Sequence, residues 1–362
     1  MTGADVAVPV SAGGRASAAG AAHRAVRRRR TLVLAGLVVL GVLATLGDLA
    51  VGGGGMSITD VVSALLHPGT VAPVDREIVW NIRLPMTLSG LLVGASLAVA
   101  GAEMQTVLGN PLAEPYTLGI SAAASFGAAL SLVLGLGALP FGDVLGTAGT
   151  AWVFAMLACT AILVVSALRG PSTETMVLLG IAMVFLFTAL LSLMQYVASE
   201  AQLQQVVFWT LGSLSRAGWP SVALLAAVLL VAMVALLRIG PALTAFRLGD
   251  ERARSLGVPV DRLRMVVLFG ISILAATAVS VAGTIGFVGL VGPHAARMLL
   301  GEDQRHFLPG SMVCGATLLC GASVVSKLIA PGVIVPVGIV TSIVGVPVFL
   351  ALILSRRRQL WS

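Results

Sequence analysis

The chain has 362 residues, of which 58% are hydrophobic and only 10% charged, with 22 Lys+Arg against 15 Asp+Glu. A soluble chain carries about 25% charge, and a mean hydropathy of +1.03 places most of this length in a bilayer. An ordinary soluble domain is excluded. At about 20 apolar residues per spanning helix, roughly ten helices and their loops would nearly exhaust the chain, so no large soluble domain is left over.

Residues 1–30 are rich in Ala, Gly, Ser and Arg and end in Arg27-Arg28-Arg29-Arg30. That composition predicts a disordered basic tail. The apolar run from Thr31 to Ala50 is longer than a signal-peptide core and no convincing cleavage site follows it, so it reads as the first span. After Gly52 to Gly55 comes Ser57-Ile-Thr-Asp60, in which Ser57 or Thr59 suits the cap of a short surface helix.

Nine further apolar segments follow at 84–106, 116–136, 147–168, 176–197, 219–238, 262–283, 286–301, 308–326 and 336–354. With ten spans and an inside N-terminus, eighteen basic residues fall inside and only Arg76, Arg83, Arg216 and Lys327 outside. The positive-inside rule therefore places both termini in the cytoplasm. The same split accounts for the net charge of +7 without nucleic acid, which would call for a basic patch interleaved with aromatics. Basic residues here are topology signals and partners for anionic membrane lipid.

Four polar interruptions are candidates for function. Glu103 falls late in the second span, where an ionisable group is costly; it is either functional or paired near the interface with Gln105 or Arg297. Gly109-Asn110-Pro111-Leu-Ala-Glu114-Pro115-Tyr116 breaks one helix and restarts the next, as a tight turn or as a site. The inside loop from Arg238 to Arg264 carries a charge pattern that predicts one or two short surface helices, with Asp250 and Glu251 at an N-terminus and Gly257 as a stop. Such a helix suits a cytoplasmic partner, with a solvated connector as the plainer reading. Gly283 to Arg297 holds Gly286, Gly289, Gly292, Pro293 and His294, a pattern for close helix approach and a broken helix. His294 has no acidic neighbour in the local sequence, which favours a structural hydrogen bond over a proton-carrying role.

Several chemistries have no residues to run them. Lys327 is the only lysine and no Gly-rich loop precedes it, so a phosphate-binding loop is absent from the sequence. There is no HExxH and no Gly-x-Ser-x-Gly, and the four histidines are scattered. Cys159, Cys314 and Cys320 lie in apolar stretches with no CxxC spacing, which predicts neither a disulfide framework nor a metal site. No catalytic residue and no cofactor is expected in this chain.

Arg83-Leu-Pro, Gly109 to Ser121, Phe208-Trp-Thr-Leu-Gly-Ser-Leu214, Gly249 to Gly257, Gly286 to Arg297 and Pro336-Val-Gly-Ile-Val-Thr341 occur in that order. Together, from about residue 31 to 355, they resemble the permease subunits of bacterial iron-siderophore, haem and vitamin B12 ABC importers. The resemblance implies an all-α, polytopic type II importer permease of about ten helices, with 31–355 as the transmembrane domain, 238–264 as its coupling loop and 356–362 as a basic tail. It implies a permease pair, as homodimer or with a paralogue, two cytoplasmic ATPase subunits that bind the ATP and Mg, an extracytoplasmic substrate-binding protein, and location in the cytoplasmic membrane.

Residue by residue, the resemblance assigns Leu248, Gly249, Asp250, Glu251, Ala253, Leu256 and Gly257 to ATPase coupling. It assigns Arg83 and Lys327, with Arg76 beside them, to docking of the binding protein, and Asn110, Pro111, Glu114, Pro115, Gly289, Pro293 and His294 to the family's helix breaks. The sequence departs from the pattern at Met86, where relatives often carry Arg, at Gly292, where a bulkier residue is usual, and at Glu103. The expected cargo is a ferric siderophore, with cobalamin or haem as alternatives; a proton-coupled secondary transporter using Glu103 or His294, and an ATP-independent channel, are readings of other classes.

Overall fold

The computed structural model describes residues 12–52, 56–136, 146–169, 172–329 and 333–357, and the described residues are helical with irregular connections. Helices run α1 Ala12–Ala50, α2 Ile58–Leu66, α3 Pro73–Glu77, α4 Leu84–Val107, α5 Ile120–Leu134, α6 Thr147–Arg169, α7 Thr173–Val197, α8 Glu200–Thr210, α9 Trp219–Phe246, α10 Asp250–Ser255, α11 Val260–Ala282, α12 Val288–Leu300, α13 Gln304–Leu328 and α14 Val337–Arg357. A π-helical stretch, Ile78–Arg83, joins α3 to α4.

Seven helical stretches are long and apolar enough to cross a membrane. The other three expected spans correspond to α5, of 15 residues, α12, of 13, and α14, of 21. All ten apolar segments of the sequence thus become helices, two of them shortened: α5 between Gly119 and Gly135, and α12 between Phe287 and Gly301. Gly119, with φ 76°, stops the chain from entering α5 before Ile120, since only glycine adopts that conformation cheaply.

The helix of the first span begins at Ala12, inside the tail that composition predicts to lack structure. Residues 12–25 are mostly Ala and Gly with no proline, and Ala is the best helix former, so a helix nucleated in the span extends backwards through them. Residues 1–11 of that tail and 358–362 of the C-terminal one lie outside the described residues, as do Gly53 to Gly55.

α4 is the stem of the bundle, buried along most of its length and packed on α9, α11, α12 and α13. It gets this close because its inward positions are small. A Cβ on Gly101 would overlap the Gly289 carbonyl of α12, and one on Gly94 would overlap the Gly315 carbonyl of α13. Gly292 explains itself in the same way: its added Cβ would stand 3.0 Å from the Ala98 Cβ and 3.2 Å from the Gly315 nitrogen. Small residues that let backbones meet are the main way helices associate in a bilayer, where apolar burial gives no drive.

Outside the bundle, α2 lies on a small apolar cluster of Leu49, Val61, Ala64 and Val79, and Trp80 Nε1 donates to the Ala64 carbonyl at 3.0 Å. Ser57 is its cap. The Asp60 amide donates to Ser57 Oγ at 3.2 Å and the Ser57 amide to Asp60 Oδ2 at 2.8 Å, a reciprocal capping box. Ser57 Oγ also donates to Asp60 Oδ2 at 2.6 Å, and this bond first and the Ser57 amide second hold the exposed Asp60 carboxyl below the ordinary 3.8. α8 is a helix the hydropathy pattern does not announce, capped by a second box between Ser199 and Gln202.

Candidate functional site

The loop expected to meet a partner is a body on two joints. Gly249, φ 89°, and Gly257, φ 82°, bracket the six residues of α10, and only glycine takes those conformations without strain. Ala253 is buried while Leu248, Glu251 and Leu256 are exposed. Two leucines thus stand in solvent beside a carboxylate, an unpartnered apolar and acidic face.

α10 is tied to the bundle by Arg264, a residue that sequence reading treats only as a topology signal. Arg264 is 3% exposed, and its Nη2 donates to both oxygens of Asp250 at 2.8 Å. Its Nε donates to the Val107 carbonyl at the end of α4, also at 2.8 Å, and the guanidinium lies 5.6 Å from the centre of the Phe246 ring.

Beside it lies a second polar cluster. Glu103, fully buried, accepts from Gln304 Nε2 at 3.3 Å, and that amide also donates to Thr106 Oγ1. The expected partners of Glu103 pair instead with one another, Arg297 Nη2 donating to Gln105 Oε1 at 2.9 Å. α13 brings Gln304 to Glu103 across 201 residues of sequence, which no local pattern foretells. Arg247 and Arg297 both pair with Glu302 and flank the Phe307 ring at 5.3 and 5.2 Å. Burial, and then the neighbouring Arg297, lower the Arg247 guanidinium to about 10 while Glu103 opposes them, so it stays charged at neutral pH.

At the opposite end, two of the expected docking cations turn inward. Lys327 Nζ donates to Asp48 Oδ1 and to the Asp48 carbonyl, both at 2.7 Å, with side-chain exposures of 4% and 0%. Thr87 Oγ1 donates to the other Asp48 oxygen at 2.6 Å. Arg83 is buried and donates to the carbonyls of Leu49 and Ala50, capping α1. Both cations therefore hold the end of α1 to α4 and α13 rather than face solvent, because a buried carboxylate and a helix C-terminus both demand a positive partner. Arg76, on α3, is exposed.

The third feature is a cavity of about 510 Å³ where the chain leaves regular helix. Glu114, Tyr116, Thr210, Thr284, Phe287 and Ser342 contribute to its wall. Irregular backbone is tolerated at membrane depth where it lines a cavity, and here Gly212, Gly283 and Gly338 let the segments close on one another. Asn110 Oδ1 accepts from the Leu112 amide at 2.9 Å to start the turn that carries Pro111, Glu114 and Pro115. Glu114 is nearly buried and lies beside Phe287 on the cavity wall. Phe287 has φ 67°, the one non-glycine with positive φ among the described residues, and opens α12. Gly289 and Pro293 are buried in α12 and His294 is half-buried there. Among the described residues no cluster of His, Cys, Asp or Glu fits a metal ion, and all three cysteines are free.

Among the described residues, an all-helical bundle of apolar helices broken round a cavity is the architecture of a transport permease. The FecCD transport family matches residues 36–355, and the chain belongs to that family. It is 41% identical over 295 residues to an uncharacterised ABC transporter permease protein, YvrB, of Bacillus subtilis, covering 80% of this chain and 82% of that one. It is 38% identical over 279 residues to the vitamin B12 import system permease protein BtuC of Klebsiella pneumoniae, covering 77% and 83%. A solved structure described as the inward-facing conformation of an ABC transporter assigned to the metal-chelate type superposes with a TM-score of 0.78 at 29% identity, covering 90% of this chain and 99% of the other. The family is a transport component, which points to no catalytic activity in this chain.

Proposed function

We propose that this permease carries a large organic metal chelate through the cytoplasmic membrane, paired with a second permease chain, driven by two ATPase subunits and supplied by an extracytoplasmic binding protein. The observation that carries the reading is α10: an exposed helix with Leu248, Glu251 and Leu256 outward, jointed at Gly249 and Gly257. A cleft in an ATPase would seat that face. ATP and Mg belong to the ATPase. The distribution of arginines puts α10 and both termini on the cytoplasmic side. The exposed Arg76 is the docking cation for acidic groups on the binding protein, while Arg83 and Lys327 act inside the fold.

A corrinoid is the first cargo to test, because the relative named for a cargo imports vitamin B12. A ferric siderophore is the second, supported by the metal-chelate description of the solved structure. The cavity offers hydroxyls, apolar surface and a single carboxylate, which does not separate the two, and at about 510 Å³ it lines only part of a path for a cargo of this size. The test is uptake of labelled cobalamin, ferric siderophore and haem in cells with and without this gene, its ATPase and binding protein present. Loss of cobalamin uptake alone supports the corrinoid, loss of siderophore uptake alone replaces it, and no loss in any rejects the import reading. Glu251→Arg is expected to release the ATPase and abolish uptake with the permease still in the membrane.

A further inference from the structure

The inference rests on α10 being the surface the ATPase moves. A six-residue helix between two left-handed glycines has little stiffness of its own, because each joint absorbs rotation that would otherwise pass into α9 or α11. Motion of α10 reaches the cavity only where α10 is tied to something rigid. That tie is Arg264.

The Arg264 guanidinium, carried by α11, reaches acceptors on two other elements. One nitrogen holds both Asp250 oxygens at the first residue of α10, and another holds the Val107 carbonyl that ends α4. A planar guanidinium fixes the angle between its bonds, whereas an ammonium is a point charge on a flexible stem. With the group 3% exposed and stacked on Phe246, water competes weakly for either bond. A push on Asp250 is therefore delivered to the end of α4.

From there the route is backbone on backbone. Val107 lies six residues, about 9 Å along the helix axis, from Gly101, and Gly101 meets the Gly289 carbonyl with no side chain between. Gly94 meets Gly315 in the same way, so α4, α12 and α13 form one body. α12 opens at Phe287, which walls the cavity beside Glu114. We propose that Arg264 is the positioning residue that converts displacement of α10 into displacement of the α4–α12–α13 block and so of the Phe287 wall of the cavity. It acts through Asp250 and Val107 and touches no cargo.

The test uses the complete transporter, permease with its ATPase and binding protein, in proteoliposomes, and reads cargo delivered per ATP hydrolysed. For Arg264→Met the expected result is an assembled complex that still hydrolyses ATP while cargo per ATP falls about tenfold, within the range of a coupling free energy between sites. Arg264→Lys, which reaches one acceptor but not both, is expected to fall between that variant and the native chain; it also carries the test should Arg264→Met fail to reach the membrane. A residue that only capped α4 would lower the yield of complex and leave cargo per ATP unchanged, and that result in Arg264→Lys overturns the proposal. Glu251→Arg separates the two levels. If it keeps both the ATPase and full uptake, the reading of α10 falls and this proposal with it; if it loses the ATPase while both Arg264 variants stay fully coupled, only this proposal falls.

Discussion

The two ends of the bundle each hold an aspartate against a cation, and the two pairs differ in one physical respect. Asp48 and Lys327 are sealed, with exposures of 0% and 4%, and bind three helices through α1, α4 and α13. Asp250 is 40% exposed while its Arg264 is 3% exposed. Both cations are dry, so neither pair opens cheaply; Asp48 is enclosed by the bundle on every side, whereas the wet Asp250 is free to move with α10 and to draw its arginine with it. The same chemistry thus serves as a rivet at one end and as a working joint at the other.

The sharpest way to break this comparison is Lys327→Met. It leaves Asp48 charged in a dry site, and the expected loss is about 3–5 kcal/mol, read as failure to accumulate in the membrane or as a large drop in unfolding temperature in detergent. Adding Asp48→Asn is expected to recover most of it, since a neutral amide still accepts from Thr87. If the single variant is as stable as the native chain, the outer pair is no rivet.

Next in size is Gly101→Ala, whose Cβ would overlap the Gly289 carbonyl and force α4 and α12 apart. Overpacking of this kind is expected to cost about 3 kcal/mol, and cargo per ATP in the surviving protein is expected to fall, as for Arg264→Met. Normal coupling with an intact fold would detach the inner joint from the stem.

Glu103→Gln is expected to change stability by less than about 1 kcal/mol and to leave uptake and its pH dependence as they were, because Gln304 can hydrogen-bond an amide as it does the carboxyl. Uptake that fails in this variant, or that tracks an imposed proton gradient in the native protein, would revive the proton-coupled reading.

The smallest effect is at the α2 cap. Asp60 titrates below the ordinary 3.8, and a depressed folded value means stability that is complete above the unfolded value and lost as pH falls through the folded one. Protection of the α2 amides, with exchange taken relative to the intrinsic rate at each pH, is accordingly expected to fall as the pH drops below 3.8, and Ser57→Ala to weaken that dependence.

What is legible in the sequence follows from range. Apolar runs, glycine joints and the Ser57 box are local, so the spans, α10 and the cap of α2 can all be placed from the residue pattern alone. α8 has a local signal too, the Ser199–Gln202 box, hidden among polar residues between two strong spans. Asp48 and Lys327 are 279 residues apart, and neither announces the other; the resemblance assigns Lys327 to docking, and nothing in the residue pattern shows the carboxylate it meets. Arg264 is harder still. One of its acceptors is a backbone carbonyl 157 residues away, and carbonyls leave no trace in a residue pattern.

The glycine contacts along α4 also set the direction in which this protein can vary. Where two backbones already touch, every substitution adds atoms, so mutation can loosen the joint between α4, α12 and α13 but not tighten it. Nor is there a side chain in the gap whose rotamer could yield under load. The stem therefore has almost no slack of its own, and in a machine whose cavity lies far from its drive, a stroke small enough for a six-residue helix can arrive undiminished.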